Sequence, residues 1–134
     1  MNTVLLKTMI YTYLKTLTNE VYYGDKPEQA STYPYVIFNL DTSSIDDNQV
    51  LEQFELSVTV YDNSQFDTNT IDKLAGSIDG DGAMVGATGL HRKHYRSSTL
   101  TADIYRTSRD EFFDQSESNI IYIELLYDVY AYLS

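Results

Sequence analysis

His91 and His94 are the first candidates for chemistry in this chain, because imidazole is the common metal ligand and the proton carrier near neutral pH. They lie in Leu90-His91-Arg92-Lys93-His94-Tyr95. Residues three apart on a strand point to opposite faces, and the two cations between them repel a metal ion. The pair therefore reads as two polar histidines on a basic strand. Ser77-Ile78-Asp79-Gly80-Asp81-Gly82 resembles the start of a calcium loop, with acids at the third and fifth positions and glycine at the sixth. Ser77 and Thr88, however, stand where the first ligand and the closing bidentate glutamate belong, so a helix end with a solvated turn is the simpler reading. Gly80-Asp81-Gly82-Ala83-Met84-Val85-Gly86 has the wrong spacing for a dinucleotide loop, and Asp79 and Asp81 would oppose a pyrophosphate. Serines and carboxylates are plentiful, yet no nucleophile elbow or triad pattern accompanies them. The expectation is a protein that is not an enzyme, with no catalytic residue, no metal and no cofactor.

The distribution of charge is more informative. The chain carries 9 Lys+Arg against 20 Asp+Glu, a formal net charge of −11. Five of those cations, Arg92, Lys93, Arg96, Arg106 and Arg109, fall within one short stretch. Acidic pairs such as Asp46-Asp47 and Asp110-Glu111 sit in segments read as loops. A basic stripe on an acidic body is self-complementary, so one copy's stripe could meet its neighbour's acidic face, and head-to-tail contacts of that kind close into rings when the rotation permits. On this reading Arg92, Lys93, Arg96, Arg106, Arg109, Asp46, Asp47, Asp110 and Glu111 form a protein interface. A nucleic-acid footprint is one alternative, weakened by the acidic total. A strand edge guarded by charges is the other.

The elements that must position these residues follow from length and periodicity. At 134 residues one domain covering 1–134 is expected, long enough for one hydrophobic core. There is no cysteine, which removes disulfides and thiolate chemistry. The N-terminal stretch lacks a secretory pattern and no apolar run reaches bilayer length, so a soluble protein used inside a cell is expected. Tyrosine occurs 13 times and tryptophan never. Tyrosine suits surfaces buried on assembly, and it is also simply a good strand former.

Leu6, Ile10, Tyr13, Leu14 and Leu17 predict an amphipathic helix over about residues 3–18. Val21 to Tyr23 suggests a short strand and Tyr33 to Leu40 a longer one. Asp41 to Gln49 reads as an exposed hairpin loop. In Val50 to Tyr61, Phe54, Leu56, Val58 and Val60 share one face, the pattern of a strand covered on one side only. A second helix is expected over about Asp67–Ile78, capped by Asp67, with Ile71, Leu74, Ala75 and Ile78 inward. Leu90 to Arg109 reads as strand broken near Ser97-Ser98, Asp110 to Asn119 as a second polar loop, and Ile121 to Leu133 as the strongest strand. The fold class is α+β: an antiparallel or mixed sheet with an N-terminal helix and a second helix packed on one face.

Taken in order, this amphipathic start, Tyr33-Pro34-Tyr35-Val36-Ile37-Phe38, Phe54-Glu55-Leu56-Ser57-Val58-Thr59-Val60-Tyr61-Asp62, Ile71-Asp72-Lys73-Leu74-Ala75 and the closing Tyr127-Asp128-Val129-Tyr130 resemble one family. It is the tail completion family of long-tailed bacteriophages, also called tail-to-head joining or tail terminator proteins, and the likeness is to members from Bacillus-infecting siphophages. The resemblance covers essentially the whole chain and rests on structural residues. It implies a homo-oligomer, monomeric when free and a hexameric ring on assembly, that caps the tail tube and docks on the head connector. The partners it implies are the major tail tube protein and the connector or stopper protein. It implies no cofactor, no membrane and no specific nucleic-acid binding, with DNA passing through the channel. The location implied is the head–tail interface of the virion, after assembly in the host cytoplasm. The two polar loops, mobile in a free subunit, would order on assembly. The alternative is a small nucleic-acid- or protein-binding module without catalytic activity.

Overall fold

Leu6, Ile10 and Leu14 recur every fourth residue, and in the computed structural model they form the buried stripe of helix α1 (Thr3–Lys15). The structure describes residues 3–25, 33–45, 51–63, 68–113 and 120–133. Helix α1 ends in tightened turns, Thr16 N–H to Tyr13 O at 3.0 Å and Leu17 N–H to Leu14 O at 3.0 Å. Lys15 places a cation at this C-terminus and donates to Asn19 O at 2.6 Å.

Six strands follow the sequence expectations with two extensions: β1 (Val21–Tyr23), β2 (Tyr35–Ile45), β3 (Leu51–Asp62), β4 (Lys93–Arg96), β5 (Leu100–Phe113) and β6 (Ile121–Leu133). They form one sheet in the order β1-β2-β3-β6-β5-β4. Only β1 and β2 pair in parallel; every other neighbouring pair is antiparallel. Helix α2 (Asn69–Asp79) lies between β3 and β4 in the chain. The sheet is therefore mixed, with both helices on one face, and the α+β expectation holds.

The extensions correct the loop expectations. Asp41 to Ile45 belongs to β2, with Asp41 opposite Glu55 and Thr42 opposite Phe54. Asp110 to Phe113 belongs to β5, with Asp110 opposite Glu124 and Phe113 opposite Ile121. Polar composition suggested loops, but a strand solvated on one face tolerates polar residues at every second position, and pairing satisfies its backbone wherever a partner strand runs alongside. The remaining loop residues, with Asp46 and Asp47, lie outside the described residues. So does Asp67; the residue at the α2 N-cap is Thr68, whose side chain makes no capping bond.

Alternation decides the core. Phe54, Leu56, Val58 and Val60 of β3 are buried, as are Ile121, Ile123, Leu125, Tyr127, Val129 and Ala131 of β6. They join Val36, Phe38, Ile71, Ala75 and Ile78 in one cluster beneath the helices. The opposite face, with Ser57, Thr59, Glu124 and Asp128, carries no helix among the described residues.

Ile10 is fully buried while Thr8, two residues earlier, is exposed. Ile10→Ala should cost about 2–5 kcal/mol by lost burial and the cavity left behind. Thr8→Ala should stay within about 0.5 kcal/mol. Urea unfolding of both variants checks this, and equal costs would mean that α1 does not dock as described.

Candidate assembly interface

Asp79 ends α2 with a carboxylate at the terminus where the helix dipole disfavours negative charge. The sheet supplies the compensation. Arg106 Nη1 donates to Asp79 Oδ2 at 2.5 Å, and the Tyr127 hydroxyl donates to Oδ1 at 3.0 Å. Burial, and then the Asp79 charge, push the Tyr127 phenol far above its ordinary pKa, so it remains a protonated donor. Arg109 Nη2 reaches Asp72 of the same helix at 3.2 Å. Arg106 faces inward in register with Ala102 and Ile104, and Arg109 does so because of a β-bulge between Arg106 and Ser108. Regular alternation would send Arg109 to the open face; the extra residue, Thr107, resets it.

The five expected interface cations therefore do not form one stripe. Lys93 faces the helix layer, its Nζ 5.6 Å from the centre of the Tyr13 ring. Arg106 and Arg109 are held by α2. Arg92 sits in the turn before β4 with φ +65° and donates its N–H to Ile104 O at 2.7 Å. Arg96 is exposed on the open face, opposite Thr101. Among the described residues, neither Arg92 nor Arg96 has an ion-pair partner. Asp110 is exposed on the open face, whereas Glu111 lies on the helix side, 3.8 Å from Arg109.

The histidines also differ from the expectation. His91 precedes β4 in a turn, so it and His94 border one open cleft of about 600 Å³ with Met84, Arg92, Asp103, Tyr105 and Arg106. His91 Nδ1 accepts the Arg106 N–H at 2.9 Å, and His94 Nδ1 contacts the Asp103 carboxylate. Among the described residues no three potential ligands converge on one point. The glycine loop is tied to itself: Asp81 Oδ1 accepts the N–H groups of Ala83 at 3.0 Å and Thr88 at 3.1 Å. Gly80, at φ +80°, lies so close to Gly89 that neither position has room for a Cβ. This frame presents Met84 and Val85, 84% and 91% exposed, at its tip.

A feature that sequence reading missed lies on the open face. Tyr33, Tyr35, Tyr61, Tyr122 and Phe112 form a row across four strands, with successive ring centres 5.3, 4.8, 5.4 and 4.9 Å apart. Tyr22 extends it edge-on to Tyr35 at 6.4 Å. The signal was present in the registers, which set Tyr35 opposite Tyr61 and Tyr61 opposite Tyr122. Beyond the row, the strand positions on this face carry Asp41, Glu55, Asp103, Asp110, Glu124 and Asp128 against Arg96. The open face is thus acidic and tyrosine-rich.

No protein-family model matches the chain, and no curated protein matches it. Among solved structures, it is similar to a chain from the virion of a native gene transfer agent particle, with 14% sequence identity and a TM-score of 0.56. The match covers 92% of this chain and 90% of that one. At this identity the likeness shows the fold.

Two outcomes follow from the site. Arg106→Ala leaves the largely buried Asp79 carboxylate without its cation, and should cost about 1–2 kcal/mol. Arg96→Ala should cost less than about 0.5 kcal/mol; thermal melts compare them, and equal losses would remove the helix clamp. The second outcome concerns the Ala83 and Thr88 N–H groups, which hold the Asp81 carboxyl below its usual range. A depressed pKa means that the loop's ordering is present above the ordinary aspartate value and is lost as pH falls through the lower, folded one. Protection of the Ala83 and Thr88 amides, relative to an unstructured peptide at the same pH, should therefore persist near neutrality and be lost only in acid below the usual aspartate titration; its loss already above it would contradict the assignment.

Proposed function

We propose that this chain is a virion structural protein that caps the tail tube and joins the tail to the head connector as a ring, and that it is not an enzyme. The observation that carries the reading is the fold, shared over 92% of this chain with a chain of a gene transfer agent virion, a particle of phage-like kind. Two features of the surface support it. Two of the five clustered cations, Arg106 and Arg109, are bound to α2, and the other three do not share one face, which favours a protein partner over the nucleic-acid-binding alternative. The open sheet face is acidic, and such a face suits the wall of a channel through which DNA passes without sticking. The implied partners are further copies of the chain, the tail tube protein and the connector or stopper protein.

Electron microscopy of lysates from a phage lacking this gene tests the reading. The expected result is DNA-filled heads accumulating apart from unattached tails, some of irregular length. Intact particles with attached tails of normal length would overturn it.

A further inference from the structure

Among the described residues, each edge of the sheet is covered along only half of its length. At one edge β1 pairs with Val36 to Phe38 of β2, and the last bonds on that side are Gly24 N–H to Phe38 O and the Tyr23 hydroxyl to Leu40 O. From Asp41 to Ile45, β2 has no strand beside it there among the described residues. At the other edge β4 covers Thr101 to Ile104 of β5, and His91 accepts the N–H of Arg106. From Thr107 to Phe113, β5 is likewise uncovered among the described residues.

The two uncovered lengths are complementary in three ways. The first is direction: β2 is antiparallel to β3, β3 to β6 and β6 to β5, so β2 and β5 are themselves antiparallel. The second is position. The free part of β2 lies at the end of the sheet that holds Leu51 and Tyr132, and the free part of β5 lies at the opposite end, with Asp62 and Ile121. Shifting one copy along the strands by about half a strand seats the two free stretches side by side and keeps β1 and β4 apart. The overlap is about five residues, or ~17 Å at ~3.4 Å per residue.

The third is the direction of the backbone groups. Val36 and Phe38, whose side chains point into the core, turn their N–H and C=O toward the β1 edge. Ile104 and Arg106, also inward, turn theirs toward the β4 edge. Because L-residues couple side-chain face to hydrogen-bond direction, the rule survives each bulge. Thr42 on β2, and Arg109, Glu111 and Phe113 on β5, therefore aim backbone donors and acceptors out of the sheet.

We propose that the free edge of β2 in one copy pairs antiparallel with the free edge of β5 in the next, joining successive subunits into one continuous sheet. This rests on the reading of the chain as a ring subunit. The contact is head-to-tail, so it closes into a ring when the rotation permits. In a closed sheet, the half-strand step is the shear that tilted strands require. The helices then stay on one surface of the ring and the acidic face on the other. Asp41 on one edge and Asp110 on the other place like charges at the joint, Glu111 being offset by Arg109, so separate copies repel at low salt and join when salt or local concentration rises.

The chain has no cysteine, so Asp41→Cys and Asp110→Cys introduce single thiols on exposed strand positions. The two variants are mixed at raised salt and treated with a short bismaleimide. The expected product is a covalent dimer in the mixture and none from either variant alone. The variant carrying both substitutions should give a ladder ending in a closed species. Glu111→Pro removes an outward N–H without touching the β6 ladder, and should cut the mixed product about tenfold while the subunit's circular dichroism is unchanged. Self-dimers of either single variant, an undiminished product with folded Glu111→Pro, oligomers in light scattering without the mixed product, or a monomer at every salt and concentration would each overturn the proposal. Those results would leave unattached heads and tails in the gene-deleted lysate unexplained by edge pairing but still in favour of the joining role. Intact particles in that lysate would remove the joining role alone.

Discussion

The sheet has one apolar face, and everything else in the molecule answers to the need to cover that face once. Alternation along β3 and β6 sends one residue of each pair inward, and α1 and α2 close over them. Because no layer lies above the second face among the described residues, its residues are free to be polar, acidic or tyrosine. The inward side cannot accept a stray charge without a partner. The partially buried Asp79 therefore draws in Arg106 and Tyr127, and a bulge brings Arg109 to Asp72. The cations look like a stripe in the sequence, but two of the five, Arg106 and Arg109, hold α2 on the sheet.

Much of this architecture was legible from periodicity alone. The spacing of Leu6, Ile10 and Leu14 marks α1, and the alternation from Phe54 to Val60 marks a strand covered on one side. The break near Ser97-Ser98 is real, with Ser97 N–H bonded to Leu100 O at 2.7 Å across the turn. The α+β class read from the sequence holds, and a chain of a gene transfer agent virion shares the fold over 92% of this one. What periodicity could not supply is register. Asp41 to Ile45 and Asp110 to Phe113 read as loops because polar residues weaken the local strand signal, although the neighbouring strands run alongside them. The bulge at Thr107 leaves no mark in composition, yet it decides which way Arg109 and Glu111 point. His91 and His94 were assigned to one strand, and the positive φ at Arg92 separates a turn from β4 between them.

The aromatic row shows how the same information changes meaning once register is known. Thirteen tyrosines in a sequence fit either strand propensity or an assembly surface equally well. With the strands paired, five rings fall into contact on the open face, each against the next across neighbouring strands or, for Tyr33, from the segment just before β2 onto Tyr35. Such ring pairs contribute about 0.5–1.5 kcal/mol each beyond their burial. That makes part of the tyrosine content a brace for an uncovered sheet, and it needs no partner to be explained. Tyr23, Tyr105 and Phe113, all at least two-fifths exposed, are less completely accounted for by internal packing.

An uncovered strand edge is an aggregation hazard, and this chain meets it with charge rather than closure. Among the described residues, short strands, β1 and β4, cover half of each edge; bulges lie in the strands near both uncovered halves, and acids stand on them. The same devices that keep copies apart also define where a copy could fit, since the uncovered halves lie at opposite ends and run in opposite directions. A fully covered sheet would be safe and inert. A fully open edge would pair with any strand in any register. On the proposed pairing, half-covered edges with like charges would restrict joining to one step and make it depend on an external push, such as screening or concentration on a surface. The separation of free copies and the single register of their joining then both follow, on that pairing, from one arrangement of strands and carboxylates.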